Sequence, residues 1–215
     1  FTNGSSLDLN VTSNHEKFVI HYYGGGSYGE FRYRIDGGSW NNVDTSLTTG
    51  LQTIDEVVSD ATHLIEFEVV SGTCIILGVD MQRNSGVRVH KFGNRGLKAS
   101  DVLALGTDVF KDNIAAFGLD TFITLLGVND RNASIVPTVF KNEMKSIYDI
   151  VKSTDNYIDF VFVSPSNTER TRNFAAIDYS DNIFELSTEL KATFLSLVPL
   201  FGGINHIIDK GFFYD

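Results

Sequence analysis

The feature that most constrains this chain is a change in its hydrophobic pattern near residue 82. Before that point, short segments rich in Val, Ile, Tyr, Phe and Thr are separated by Gly, Asp, Asn and Ser, which is typical of strands and turns. After Gly86, segments with strand character alternate with segments of helical period, which is typical of a parallel sheet covered by helices. The sequence therefore predicts two domains, at residues 1–82 and 83–215.

The first domain is predicted to be an antiparallel β-sandwich of the jelly-roll kind. Its β-branched and aromatic segments predict strands at 17–23, 30–35, 51–58, 64–70 and 75–79. Asp36-Gly37 between two such segments indicates a tight hairpin, because both residues tolerate a positive φ. Phe31 and Tyr33 alternate with charged residues such as Arg32, so we expect one buried face and one wet face.

The second domain is predicted to be a three-layer α/β domain with a parallel sheet. Strands are predicted at 87–92, 121–126 and 157–163. The second of these is almost entirely apolar, as expected of a strand covered on both faces. Helices are predicted from Asp101, from Pro137, whose missing N–H costs nothing in a first turn, and after Asp181, which can cap the helix.

Composition excludes several classes of protein. With 27 acidic against 17 basic residues, the net charge of −10 would repel a phosphate backbone, so we expect no nucleic-acid partner. A content of 42% hydrophobic residues excludes a disordered chain, and no apolar run is long enough to insert into a membrane. Cys74 is the sole cysteine and lies in a β-rich stretch, so we expect a buried, inert thiol.

Two loops follow successive predicted strands, at 93–101 and 127–132. Ligands of open parallel sheets bind beyond the carboxyl ends of the strands, so the chemistry is expected there. Gly96 can present its backbone N–H because it has no Cβ to obstruct a ligand, and Asn129 can aim its side-chain amide at the same point. Such a pair would suit a developing oxyanion. Taken singly, each feature is also what an ordinary turn or an Asx cap looks like.

The same loops resemble two conserved blocks of the SGNH (GDSL-type) hydrolases. The second block of that family is similar to residues 92–101, FGNRGLKASD, and its third block, Gly-x-Asn-Asp, is similar to residues 127–130, GVND. Residues 161–165, VFVSP, resemble the next strand and its exit. Residues 211–215, GFFYD, resemble the approach to the fifth block, Asp-x-x-His. The resemblance covers residues 87–215.

The resemblance implies a serine esterase. Gly96 N–H and the Asn129 amide would contribute to its oxyanion hole, and Asp215 would orient the catalytic histidine. Substrate contacts are expected in the same two loops, at Asn94, Arg95, Asp130 and Arg131. No cofactor and no metal are expected, because the histidines His15, His21 and His63 are not spaced as zinc ligands.

The family's nucleophile block, Gly-Asp-Ser, does not occur in the 215 residues, and no histidine follows Asp215. We expect the serine and the histidine to lie outside this sequence, in a longer polypeptide in which the first domain is an insertion. Residues 86–90, GVRVH, add a resemblance to phage tail spikes and tail fibres that deacetylate host polysaccharide. This implies a virion tail protein, a homotrimer, that acts outside the cell on bacterial surface polysaccharide.

Two other functions stay open at this point. A non-catalytic glycan-binding adhesin on a degenerate scaffold would account for the absent serine and histidine, and Trp40 with its neighbouring tyrosines could stack on sugars or simply pack in a core. A nucleotide-binding domain is disfavoured, because residues 93–96 depart from Gly-x-Gly-x-x-Gly. His90 and His206 are alternative bases, but nothing in the sequence places either beside Gly96.

Overall fold

The computed structural model describes residues 1–166 and 172–200, except the side chains of 199 and 200. The chain divides into two compact units, of which the first spans Phe1–His90 and the second begins at Lys91. The first unit is longer than the predicted 82 residues because the segment that follows the last strand is tied back to it. The backbone N–H of Asn84 donates to Glu16 at 2.8 Å, and Arg88 reaches Asp80 at 3.3 Å.

The first unit contains five strands and one short 3-10 turn. They are β1 (Ser6–Gly24), β2 (Glu30–Ile35), β3 (Asn41–Asp44), the 3-10 turn (Thr45–Leu47), β4 (Gly50–Ser71) and β5 (Ile75–Gln82). The order in the sheet is β3-β2-β4-β1-β5, and every neighbouring pair is antiparallel. The antiparallel character predicted for this region is therefore confirmed.

The predicted two-sheet sandwich is wrong in one respect, because the described residues form one continuous sheet. The segments predicted as separate strands at 51–58 and 64–70 are the two halves of β4, which has 22 residues. No Gly or Pro ends the strand between them, and β1 stays paired with it through register shifts between Val11 and Lys17. A jelly roll is not confirmed.

The long strands let this sheet enclose its own core. Tyr22 of β1 and Phe31 of β2 lie on strands that are not neighbours, yet their rings meet edge to face at 5.6 Å. Phe18, Ile65 and Phe31 are fully buried in the same cluster, and Cys74 lies there as expected. Burial raises the pKa of the Cys74 thiol, so the group stays protonated and inert.

The second unit alternates helices with short parallel strands. They are α1 (Ala99–Leu103), α2 (Thr107–Phe117), β6 (Thr121–Leu125), α3 (Val128–Asn132), α4 (Pro137–Thr154), β7 (Asp159–Val163), α5 (Ala176–Leu190), β8 (Thr193–Leu195) and α6 (Leu197–Leu200). The sheet order is β6-β7-β8, and both pairs are parallel. The parallel pairing predicted between the strands near 121–126 and 157–163 is confirmed.

Two predictions in this part of the chain are wrong. Residues 87–92 form no strand, and Val87 and Val89 are 92% and 87% exposed. Alternating residues define a face, but a strand also needs a paired neighbour, and this segment has none among the residues described. The last long helix begins at Ala176 instead of after Asp181, because Asp178 caps its first turn by accepting from the backbone N–H of Ala175 at 2.7 Å.

The helices of the second unit pack on one face of its sheet. Helix α4 begins at Pro137 as predicted, and its buried stripe joins the rings of Phe160 and Phe162, whose centres lie 4.5 Å apart. Alternation places Ile123 and Leu125 on the opposite face, where they are 63% and 61% exposed. The described residues thus show two layers of the predicted three. In the same ranges, every helix is too short or too polar to cross a membrane.

Candidate functional site

The first of the two predicted loops is organised by a tight turn. The backbone N–H of Leu97 donates to the carbonyl of Asn94 at 3.2 Å, and Gly96 between them has a φ of +88°. A positive φ at the third position of a four-residue turn is the type II geometry, which favours glycine. Among the residues described, no atom lies within 4 Å of the place that a Cβ of Gly96 would take. The turn is therefore exposed at Gly96.

The second loop leaves the sheet and enters a helix within two residues. Gly127, with a φ of +108°, joins β6 to α3. A Cβ there would lie 3.1 Å from both the ring of Phe140 and that of Pro165, so only glycine fits this bend without displacing its neighbours. The bend directs the first residues of α3 toward the turn that contains Gly96.

The structure places Asn129 beside the Gly96 turn. Its side-chain Nδ2 donates to the carbonyl of Leu97 at 2.9 Å, across 32 residues of sequence. An amide nitrogen carries two N–H bonds, so this contact leaves a second donor on the same atom. The two residues predicted as oxyanion donors thus belong to loops that are bonded directly to each other.

Asp130 has a different position from the one predicted. It is 0% exposed, and its two carboxylate oxygens accept from the backbone N–H groups of Ala99, at 2.9 Å, and Gly127, at 3.2 Å. Burial raises the pKa of this carboxyl, and the backbone hydrogen bonds oppose that rise. A side chain with both oxygens engaged and no exposed surface does not contact a substrate, so this part of the prediction is corrected.

Arg131 is also buried, contrary to the role expected for it. Its Nε donates to the carbonyl of Phe174 at 2.9 Å, which ties α3 to the segment before α5. Asn94 and Arg95 lie at the surface as a substrate contact requires, although the Asn94 Oδ1 accepts from the backbone N–H of Arg95 at 2.8 Å. Of the four expected substrate contacts, two therefore stay accessible.

The other candidate residues do not join these loops. Asp215 and His206 lie outside the described residues. His90 belongs to the first unit, where its Nε2 lies 3.9 Å from Asp80. His63 bonds to Asp36 at 2.7 Å in the same unit. Across residues 1–166 and 172–200, no three His, Cys, Asp or Glu side chains are grouped as metal ligands.

One neighbour of the site was not predicted from the sequence. Glu143 of α4 has a buried Oε2 without a hydrogen-bond partner among the described residues. Burial raises the pKa of its carboxyl, and the charge of Asp130 raises it further. Its position between Phe140 and Ile147 on the buried stripe of α4 is the signal that could have drawn attention to it.

Comparisons with known proteins place the fold. No protein-family model matches the chain, and no curated protein matches it either. A solved structure described as "Peptidoglycan O-acetylesterase in action" matches with a TM-score of 0.65 and 14% identity, over 98% of this chain and 61% of that one. The fold resembles that of SGNH-type esterases. This agrees in outline with the fold class expected from the two sequence blocks.

Weaker likenesses accompany this one. Family two carbohydrate esterases from Cellvibrio japonicus and Clostridium thermocellum match with TM-scores of 0.34 and 0.36 and identities of 10% and 12%. They cover 95% and 92% of this chain and 82% and 83% of their own. At these TM-scores the likeness adds nothing to the fold assignment. The chain spans 61% of the length of the peptidoglycan O-acetylesterase.

Proposed function

We propose that this chain is part of a serine esterase that removes acetyl groups from carbohydrate. The observation that carries the proposal is the bond between the Asn129 side chain and Leu97, which links the two loops that contain the predicted oxyanion donors. Two donors that converge on one point are what a tetrahedral intermediate of acyl transfer needs. The fold shared with a peptidoglycan O-acetylesterase supports the same reaction class.

In the proposed mechanism, a serine from another part of the polypeptide attacks the acetyl carbonyl while a histidine removes its proton. The carbonyl oxygen becomes an oxyanion that accepts from Gly96 N–H and from the free N–H of Asn129. The histidine then protonates the departing sugar oxygen, and water releases acetate from the serine by the same steps in reverse order. Asp215 orients the histidine, and Asn94 and Arg95 contact the substrate at the rim.

Strand β6 supports the idea that the nucleophile comes from elsewhere. In the described sheet it is an edge strand, and its exposed side chains Ile123 and Leu125 are apolar. A further parallel strand beside β6 would end next to Gly127 and Gly96, because parallel strands bring their carboxyl ends to one edge. A serine at the end of that strand would face the two oxyanion donors.

The proposal extends to the setting of the enzyme. We infer a phage tail protein whose substrate is bacterial surface polysaccharide, acting extracellularly as a homotrimer. Residues 86–90 of the sequence are its support. A tail-borne enzyme should release acetate from an acetylated surface polysaccharide when presented on virions.

The decisive experiment replaces Asn129 in the complete polypeptide. Asn129→Ala should lower kcat on 4-nitrophenyl acetate by about 10²–10³-fold, since one oxyanion donor is typically worth that much. Asn132→Ala, in the same loop but bonded through its oxygen to Arg172, is the matched control and should stay close to wild type.

The 215 residues alone should not turn over this substrate. Full activity of that piece, or an Asn129→Ala variant as active as wild type, contradicts the proposed function. Retained binding of acetylated glycan by a polypeptide without any turnover would instead favour the adhesin.

A further inference from the structure

Asp130 is a fully buried carboxylate that bonds both loops of the candidate site. Its Oδ1 accepts from Ala99, the first residue of α1, and its Oδ2 accepts from Gly127, the residue before α3. The two donors are 28 residues apart along the chain. A single side chain therefore fixes the distance between the starts of two helices.

Asn129 adds a second link beside the first. It donates to the carbonyl of Leu97, two residues before Ala99, so the segment 97–99 is held at two points by successive residues of α3. Gly96 is the residue immediately before this segment. Its backbone N–H therefore has a position relative to Asn129 that depends on both links.

We propose that Asp130 is the positioning residue of the oxyanion hole, which holds the Gly96 turn at a fixed distance from the Asn129 amide. The inference rests on the proposed esterase function and names a residue that acts on the two donors without touching substrate. The position of the two donors matters for the reaction rate, because a displacement of about 1 Å at a reacting group can lower the rate by about 10²-fold.

A carboxylate suits this place better than an amide. Both of its oxygens accept, whereas an asparagine side chain offers one accepting oxygen and one donating nitrogen. In Asp130→Asn, the amide nitrogen would face a backbone N–H, and one of the two loops would lose its bond. The side chain keeps its size, so the change removes the link with little change in packing.

The charges around Asp130 come from several elements. Lys98 and Asp101 lie at the start of α1, Glu143 lies on α4, and Tyr179 lies on α5. Burial, with the charge of Asp130 added, raises the pKa of Tyr179 to about 12. The buried Oε2 of Glu143 shares this surrounding, and burial together with the charge of Asp130 raises the pKa of Glu143.

The first test uses the 215-residue chain and needs no activity. Amide exchange measured by NMR should be slow at Ala99 and Gly127 in the wild type and faster at one or both in Asp130→Asn. The resonances of Gly96 N–H and of the Asn129 side-chain amide should shift with them. Unchanged exchange and unchanged resonances at these four groups would overturn the proposal.

Two variants serve as comparisons in that test. Asp178→Asn removes a similar carboxylate at the start of α5, where it caps only its own helix, and should leave the Gly96 and Asn129 signals in place. Asp130→Ala removes both acceptors and should give shifts at least as large as those seen in Asp130→Asn.

The second test is kinetic and uses the complete polypeptide. Asp130→Asn should lower kcat by about 10²-fold with KM unchanged, because the oxyanion exists only in the transition state. In the Asn129→Ala background the same change should cost much less, since the positioned donor is already gone. Equal losses in both backgrounds would mean that Asp130 stabilises the fold without acting on the donors.

The two proposals fail in different ways. A complete polypeptide without esterase activity would overturn the proposed function, while the exchange data would still decide whether Asp130 positions Gly96. An active enzyme with an unperturbed Gly96 turn in Asp130→Asn would overturn the positioning role alone.

Discussion

The two sheets of this protein differ in what their solvent-facing sides carry. On the first sheet, Arg32 pairs with Glu68 at 2.8 Å and Arg34 pairs with Glu66 at 2.6 Å, across neighbouring strands. Trp40 stacks on both guanidinium groups, each 4.5 Å from its ring centre. On the second sheet, the corresponding side of β6 presents Ile123 and Leu125.

The difference indicates which faces of each strand are buried in the folded protein. An antiparallel strand with one solvent-facing side needs polar residues at every second position, and β2 has them. A central parallel strand needs apolar residues on both sides, and β6 has those although one side is exposed in the described residues. The composition of β6 thus suits a sheet that is covered on this face as well, as the predicted third layer would do.

The aromatic residues of the first unit also separate by face. Tyr22 and Tyr33 are buried in the core, so they are not available for sugar stacking. Trp40 is half-buried over the two arginines of β2. The stacking surface that the adhesin hypothesis requires is therefore reduced to Trp40 and to the exposed Tyr23 with Tyr28 beside it.

The largest effect is expected where the second sheet is fully covered. Phe162 of β7 is completely buried against Phe160 and Tyr148. Phe162→Ala should lower the free energy of unfolding by about 3–5 kcal/mol, because the cavity adds to the lost transfer energy. Urea denaturation measures this loss. Phe184→Ala, at an exposed ring of α5, is the control, and a similar loss in both variants would contradict the one-sided core.

Much of the fold could be predicted because it depends on local patterns. The alternation around Phe31 and Tyr33 identified the buried face of β2, and the spacing of Phe140, Met144 and Ile147 identified the buried stripe of α4. Both patterns record burial by immediate neighbours. Burial of this kind can therefore be predicted from the spacing of apolar residues along the sequence.

Other features depend on partners that a local pattern does not contain. Residues 87–92 alternate like a strand but lack a pairing neighbour, and β4 continues through a segment where a break was expected. The continuation follows from pairing with β1 across a register shift, which only the three-dimensional arrangement determines.

The candidate site was predictable in part for the same reason. Glycines at 96 and 127 follow from turn geometry, and Asn129 was expected close to the first loop. The burial of Asp130 was not expected, because one of its two donors, Ala99, is 31 residues away along the chain. The sequence alone does not distinguish a polar loop residue that faces a ligand from one that faces the protein interior.

A moderate, pH-dependent effect is expected on the first unit. Burial lowers the pKa of His63, but hydrogen bonds to Asp36 and to the Ser59 carbonyl together raise it above 6.5. The hydrogen bond from His63 lowers the pKa of Asp36 below 3.8. The stabilisation by His63 is complete below pH 6.5 and is lost as pH rises through its raised pKa. The contribution of Asp36 is lost only as pH falls below 3.8.

Asp36→Asn tests this sign directly. Without the carboxylate, burial still opposes protonation of His63 and only the Ser59 carbonyl favours it, so the pKa of His63 should be lower than in the wild type and its stabilisation at low pH should be reduced. Thermal unfolding between about pH 5 and 8 should therefore show the wild-type advantage over Asp36→Asn shrinking as pH rises. A difference that is constant over this range would show that the pair does not titrate with folding.

A smaller effect is expected from the charged side of the first sheet. Arg34 and Glu66 form a two-bond pair whose side chains are 31% and 17% exposed. A double-mutant cycle with Arg34→Ala and Glu66→Ala should give a small favourable coupling, because the pair is partly exposed, and this coupling should weaken in high salt. A coupling that is insensitive to salt would indicate packing under Trp40 as its main source.

The smallest effect is expected at the apolar side of β6, and there the two sheets can be compared directly. Ile123→Thr keeps a β-branched side chain at a site that is mostly exposed, so the free energy of unfolding of the 215-residue chain should change by no more than about 0.5 kcal/mol. In the complete polypeptide, where the predicted third layer would cover this face, the loss should rise to about 1–3 kcal/mol. The increase between the two proteins is what a third layer requires, because covering an apolar group is what makes its removal costly. An equal, small change in both would mean that β6 stays exposed on this face and that the predicted third layer does not pack there.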